Sequence, residues 1–127
     1  MSVALELIDE ALANPGGDYR AVVLDSGERI AGYVCYGPTP MTRTTWDLYW
    51  IATHPLERGR GIASQLVAAM ESDIRAQGGK HIRVETSHQT DYSAAHRFYV
   101  RNNYPEVARF PDFYAPGDDL VVMYKVL

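Results

Sequence analysis

An apolar run, Leu48 to Ala52, leads through His54-Pro55 into Arg58-Gly59-Arg60-Gly61-Ile62-Ala63. After it Ile62, Leu66, Met70 and Ile74 recur at every fourth residue, with Ala63 and Val67 beside them. That period predicts a helix from about Gly59 to Gln77 with one buried stripe. Gly78-Gly79 ends it, and His81 to Thr86 reads as the next strand. Strand, helix and strand make a βαβ unit, so the two strands run parallel and the crossover is right-handed. In open sheets ligands bind beyond the carboxyl ends of such strands, where the Arg-Gly-Arg-Gly turn falls. Glycine lets the backbone approach an anion with no Cβ in the way. The first N–H groups of a helix point outward at the positive end of its dipole. The turn therefore reads as a phosphate site.

Val3 to Ala13 reads as a short helix, because Val3, Leu7 and Ala11 share a face with Ala4, Ile8 and Leu12 beside it. Tyr19 to Leu24 and Arg29 to Tyr36 read as a hairpin across Asp25-Ser26-Gly27. Gly37-Pro38-Thr39-Pro40 opens a loop, and Thr44 to Thr53 forms the third strand, with Trp46, Tyr49 and Trp50 along it. Tyr92 to Asn102 reads as a second helix, Tyr104 to Phe113 and Leu120 to Val126 as closing strands, with Pro111, Pro116, Gly117 and Asp118 in the turn between them.

At 127 residues, 46% of them hydrophobic, the chain reads as a single domain, 1–127. The net charge of −4 argues against nucleic acid as the partner, since such proteins carry a basic surplus. The lone Cys35 allows no internal disulfide and, with no signal segment and no run of about 18 apolar residues, points to a cytoplasmic protein without a membrane span. His54, His81, His88 and His96 lack metal-ligand spacing, so no metal is expected. His88 follows a strand end and reads as a loop residue or a proton shuttle. The turn lacks the Gly-Lys-Ser/Thr ending of a P-loop, and the dinucleotide pattern Gly-X-Gly-X-X-Gly is missing.

A strand, then Arg58-X-X-Gly61-X-Ala63, a long helix, a strand, and a helix ending in Phe98-Tyr99 resembles the GNAT superfamily of N-acetyltransferases. The acyl-CoA signature of that family is Gln/Arg-X-X-Gly-X-Gly/Ala, and the resemblance covers Tyr19 to Leu127. It implies an α/β (α+β) fold: a mixed, mostly antiparallel sheet around a central parallel βαβ unit whose two strands splay to admit the cofactor. It implies acetyl-CoA as donor, its pyrophosphate on the backbone from Gly59 through Arg60, Gly61 and Ile62 to Ala63, with Arg58 and Ser64 at the same turn. The pantetheine arm would run along Ile51, Ala52 and Thr53. Many relatives carry an Asn where this chain has Tyr92, so that contact is either lost or made by Asp91 or Ser93 instead. Asn103-Tyr104 stands where many have Gly-Phe, and Asn tolerates the left-handed helix stop. Family members usually begin with a strand and a helix ahead of the element at Val3, so the first strand is expected to be missing. That leaves an open sheet edge beside Tyr19 to Leu24, at which a homodimer or local disorder is expected.

Acetyl transfer to an amine requires loss of the amine's proton, a donor for the oxyanion, and departure of the CoA thiolate. The resemblance puts Asp47 where some relatives carry a base glutamate. Its apolar neighbours Trp46 and Leu48 would raise the pKa of an unpaired carboxylate, while a strand carboxylate paired with an arginine is the competing reading. Glu85 or a water relay are the alternatives. Tyr99 matches the family's tyrosine near the thioester sulfur. A thiol pKa of ~8.5 against ~10 for tyrosine makes full proton transfer uphill by roughly 2 kcal/mol, so Tyr99 acts as an acid or as a hydrogen-bond donor to the departing sulfur. Its bland alternative is a core tyrosine. The Ile51 N–H is the expected oxyanion donor.

The acceptor pocket is expected from the Gly37 to Thr45 loop, the initial helix and the Pro111 to Asp119 turn, whose acids and aromatics suit an amine of a small molecule, amino acid or peptide. Two other readings stay open: a protein N-terminal or lysine acetyltransferase, and a non-catalytic acyl-CoA-binding or interaction module.

Overall fold

A computed structural model of the chain describes residues 4–9, 19–87 and 92–127, with the backbone alone at 4–9, 92 and 93. Seven strands form one sheet in the order β1-β2-β3-β4-β5-β7-β6. In chain order these are β1 (Ala4–Asp9), β2 (Arg20–Asp25), β3 (Ile30–Pro38), β4 (Thr45–Thr53), helix α1 (Ile62–Ala76), β5 (His81–Ser87), helix α2 (Tyr92–Arg101), β6 (Glu106–Ala115) and β7 (Asp118–Val126). Every neighbouring pair is antiparallel except β4 and β5, the ends of the βαβ unit. No described helix is long and apolar enough to cross a membrane.

The first element corrects the sequence reading. Residues 4–9 form a strand, not a helix, and pair with β2 from Ala4↔Asp25 to Asp9↔Arg20. Val3 and residues 10–13 lie outside the described residues. Ala and Leu are good local helix formers, but Leu5 and Leu7 also alternate with Glu6, and pairing to a ready strand decides between two readings that a short apolar run cannot separate. The first strand is therefore present, and the edge beside β2 is covered. The edge of the sheet on this side is β1 instead of β2.

The core lies between the sheet and the buried faces of both helices. Ile62, Leu66, Val67, Met70 and Ile74 supply the α1 stripe, packed with Val22, Leu24, Val34 and Tyr36 from the sheet. Tyr99 and Tyr104 belong to the same cluster, with Ala95 and Phe98 against it. Gly32 sets how closely α1 can dock on β3. A Cβ there would meet the Ala52 oxygen at 2.7 Å and the Ile62 and Leu66 side chains at 3.0 Å. Two polar clasps hold α1. Asp73 accepts from Tyr36 Oη at 2.6 Å and from Arg20 Nε at 2.7 Å. Glu71 accepts from Tyr104 Oη at 2.6 Å and Lys125 Nζ at 2.9 Å. Asn103 takes φ 68 at the end of α2, the left-handed stop foreseen for it. Pro111 falls inside edge strand β6 rather than in the turn, where a residue without an N–H costs least.

Candidate active site

The gap between β4 and β5 is the centre of the site. Their parallel pairing runs from Thr45↔His81 to Leu48↔Val84 and stops. Beyond it, Tyr49–Thr53 and Glu85–Ser87 have no ladder between them. On its other side β4 stays paired with β3, through a bulge that sets Cys35 opposite Trp50 and Tyr36 opposite Leu48, leaving Tyr49 as the extra residue. A bulge adds twist and bends its strand, and this one lies where the two parallel strands part.

A groove of about 660 Å³ opens from the gap. Ile51, Ala52 and Thr53 line one wall. His54 N–H bonds to the Ala31 oxygen on β3. Strand alternation then gives Ala52 the same side and turns the backbone groups of Ile51 and Thr53 toward the gap. The far end is the turn before α1, where Arg58, Gly59, Gly61, Ala63 and Ser64 line the groove. Gly59 and Gly61 take φ 81 and 72, a region that a side chain rarely tolerates. Space beyond both is open to 4 Å. No side chain caps Gly61, and the first helical bond runs from Gln65 N–H to the Gly61 oxygen. The N–H groups ahead of it are the outward-facing donors of the helix end. Arg101, from α2, adds a second cation to the lining. Anion-ready backbone, open space and two arginines fit a pyrophosphate, and the exposed strand edge fits a pantetheine amide chain.

Of the residues expected at this groove, Arg60 does not line it. Arg60 Nη1 lies 3.1 Å from Glu57 Oε2, near enough to attract but not aligned as a hydrogen bond. Glu57 is buried, 2% exposed, lines the groove from beneath the turn, and accepts from Arg29 Nη1 at 3.0 Å. Arg29 thereby ties the β2–β3 turn to the turn before α1. Glu57 was not singled out in the sequence, where it reads as one more charge in a polar turn. The α2 wall of Ala94, Ala95, Phe98 and Arg101 was also missed, although Ala94, Phe98 and Arg101 share a face by helical spacing.

Tyr99 is buried, 7% exposed, packed edge-on to Phe98 and Tyr104, and is not part of the groove lining. Burial pushes its hydroxyl pKa up to about 12. Asp91 and His88 lie outside the described residues, as do the side chains of Tyr92 and Ser93.

Asp47 lies in a second cavity, of about 240 Å³, with Leu48, Tyr49, Arg83, Glu85 and Tyr114. It is an ion-pair partner here. Arg83 Nε reaches Asp47 Oδ1 at 2.7 Å and Nη2 reaches Oδ2 at 3.2 Å. The hydrogen bond to Asp47 raises the already high pKa of Arg83 further. Glu85 stands 3.6 Å from Arg83 Nη1 and remains 46% exposed at the side chain. Tyr49 feels the same charges: burial first, then Asp47, raise its pKa, and Arg83 lowers it. Of the segments expected to build an acceptor pocket, the Gly37 to Thr45 loop does not line this cavity, and the Pro111 to Asp119 segment contributes Tyr114 among the described residues. The hairpin acids are engaged within the hairpin or by the neighbouring strand β5. Asp112 accepts from Gly117 N–H, Asp119 from Arg109 and from Asp112 N–H, and Asp118 from Ser87 Oγ.

Among known proteins, the model of the acetyltransferase (GNAT) family matches residues 3–104. A crystal structure from Desulfovibrio desulfuricans, assigned to the same family, shares 30% identity over 98% of this chain and 99% of that one, with a TM-score of 0.91. The ribosomal-protein-S18-alanine N-acetyltransferase from Escherichia coli superposes with a TM-score of 0.80 at 13% identity, covering 98% of this chain and 94% of that one. An acetyltransferase structure from Salmonella typhimurium holding acetyl-CoA gives 0.77 at 14% identity, over 100% and 95% of the two chains. These last two likenesses concern the fold alone. No curated protein matches the sequence.

Proposed function

The chain belongs to the GNAT family of acetyltransferases, and from that premise we propose that it moves the acetyl group of acetyl-CoA to the primary amine of an acceptor by direct attack on the thioester. One observation carries this reading. β4 and β5 part after Leu48 and Val84, and two cavities meet β4 on either side of Trp50, the long groove at residues 51–53 and the smaller cavity at 47–49. A donor in the first and an acceptor in the second would bring carbonyl and amine together at the bulged part of β4.

In this reading the N–H groups of residues 59–63 and the Arg58 and Arg101 guanidinium groups hold the phosphates. Ile51 and Thr53 bind the pantetheine amides, and Ile51 N–H faces the oxygen that gains charge as the amine attacks. The amine nitrogen forms a bond to the carbonyl carbon, the carbon–sulfur bond breaks, the thiolate leaves with that electron pair, and the nitrogen loses a proton. We place proton acceptance on Glu85 or on water it holds. Asp47 has both oxygens engaged by Arg83 and acts on the reaction through it. Tyr99 donates at most a hydrogen bond toward the sulfur. With its pKa near 12 against ~8.5 for a thiol, full proton transfer is uphill by about 5 kcal/mol.

The engaged Asp47 carboxylate also favours a second reading, an acyl-CoA-binding module without turnover. Thiol release from acetyl-CoA with a panel of amines separates the two. Amine-dependent release is the expected result. Tight acetyl-CoA binding with no release for any amine decides for the module.

A further inference from the structure

Tyr49 stacks on Tyr19 with ring centroids 5.5 Å apart and planes 8° from parallel. Trp50 meets Tyr19 at 6.1 Å. Tyr49 and Trp50 are 41% and 51% exposed, an unusual amount of aromatic face on an interior strand of the sheet. The bulge explains it, since the extra residue at Tyr49 breaks the alternation that would have buried one of the pair. The resulting aromatic shelf borders the second cavity, because Tyr49 lines both. Tyr114 from β6 lines the same cavity, set edge-on against Phe113 at 5.0 Å.

The charges at the base of this cavity are Asp47, Glu85 and Arg83, leaving one negative charge in excess. The guanidinium is spent, held by two hydrogen bonds to Asp47 and lying 3.6 Å from Glu85. A carboxylate on the acceptor would meet a cation already shared by two carboxylates. An ammonium group would meet the exposed Glu85 oxygens, and a second positive charge would meet ring faces, which attract cations within about 6 Å. The volume of about 240 Å³ is below the ~300–1,000 Å³ of sites for drug-sized ligands, which suits a slender chain.

Resting on the acetyl-transfer reading above, we infer that the acceptor is an aliphatic diamine or polyamine without a carboxylate. One amine would reach the thioester past Glu85, and the other cationic end would rest on the Tyr19–Tyr49–Trp50 shelf.

The test measures thiol release from acetyl-CoA at one pH with 1,4-diaminobutane, spermidine, butylamine and ornithine. Ornithine is diaminobutane with a carboxylate, and butylamine lacks the second charge. The expected kcat/KM for diaminobutane is at least tenfold above both, and Trp50→Ala brings the diamine-to-monoamine ratio down toward one. Ornithine or butylamine equal to or better than the diamine overturns the inference while leaving acetyl transfer intact. A lysine-containing peptide outperforming every free amine also overturns it. If no amine releases thiol, the acetyl-transfer reading fails, and diaminobutane titrated against tryptophan fluorescence with CoA present then decides the cation site separately. A saturable change that Glu85→Gln or Tyr49→Ala abolishes, both variants keeping Trp46 and Trp50, supports it, and no change overturns it.

Discussion

Arg83 on β5 grips both carboxylate oxygens of Asp47 on β4, at 2.7 and 3.2 Å, one residue before the two strands part. The pair stands opposite itself in the parallel register, Asp47↔Arg83. It clamps the closed end of the gap, so that the sheet opens at Leu48 and Val84 and not earlier. The same residues line the smaller cavity, so one ion pair bears both on where the strands part and on the charge that a ligand of that cavity would meet.

The clamp is expected to show as coupling. Asp47→Asn and Arg83→Met each lower kcat/KM for the acceptor, and the double variant loses little more than either single one. Arg83 is 38% exposed at the side chain, so the stability contribution is modest, about 1 kcal/mol. A direct base role for Asp47 has a different signature. Asp47→Asn alone would depress the rate at neutral pH and recover it as the amine, pKa ~10, deprotonates in solution, while Arg83→Met would leave that profile in place. pH–rate profiles of the three variants tell the two apart.

The two signature arginines are expected to differ. Arg58 lines the groove, whereas Arg60 leans on Glu57 beneath it. Arg58→Ala raises KM for acetyl-CoA about tenfold, the scale of one charge-assisted contact, and makes that KM less sensitive to salt. Arg60→Ala raises it less. Glu57→Gln acts through the turn by releasing Arg29 and Arg60 together, so it raises KM for acetyl-CoA while kcat changes little. Steady-state kinetics at two ionic strengths check all three, and an equal effect from Arg58→Ala and Arg60→Ala would contradict this division.

The βαβ unit and the glycine turn before α1 were legible in the sequence because each rests on local rules. The period of Ile62, Leu66, Met70 and Ile74 is a property of one helix, and the glycines at 59 and 61 are needed by the backbone there. Asn103 was legible for the same reason. What local rules could not supply came from pairing between distant strands. Residues 4–9 fit a helix or a strand until β2 is beside them. The Asp47–Arg83 contact joins residues separated by a whole helix, and only the parallel register sets them opposite each other. The bulge at Tyr49, which exposes two aromatics in succession, has no signature in Leu48-Tyr49-Trp50. Tyr99 was placed near the sulfur by resemblance, while its burial in the core depends on how α2 docks.

Burial of Tyr99 predicts a defined loss of stability in alkali. Its folded pKa, about 12, lies above the ~10 of an unfolded tyrosine. The raised value means that the folded state holds the proton more tightly. The stability contribution is therefore fully present below pH ~10 and is lost as pH rises through about 12. Two units correspond to roughly 3 kcal/mol. Tyr36 and Tyr104 are raised as well, chiefly by burial and then by hydrogen bonds to Asp73 and Glu71, and act in the same direction. Denaturant melts at pH 8, 10 and 11.5 are expected to show a steep decline only above 10, shallower in Tyr99→Phe. For that variant kcat falls by no more than about tenfold, the limit of a single hydrogen bond, with KM for acetyl-CoA nearly unchanged, because Tyr99 is not part of the groove lining.

Gly32→Ala tests whether α1 docking sets donor affinity. The added methyl would lie 2.7 Å from the Ala52 oxygen and 3.0 Å from Ile62 and Leu66. Backbone cannot yield at the first contact without disturbing β4 at the groove wall, and the other two contacts press on the first turns of α1. Overpacking of this kind costs about 1–3 kcal/mol. If the strain were absorbed in the core, stability would fall and acetyl-CoA binding would stay as it was. Because the strained atoms belong to Ala52 and Ile62, which both line the groove, affinity is expected to fall along with stability. Ala31→Gly, next to it in the same strand and also buried, is the control: it lowers stability by loss of packing and adds no atom toward β4 or α1. Calorimetric titration of both variants with CoA, below their melting temperatures, is expected to show weakened binding in Gly32→Ala alone. Equal affinities would mean that α1 can shift on β3 without moving the turn at residues 58–63.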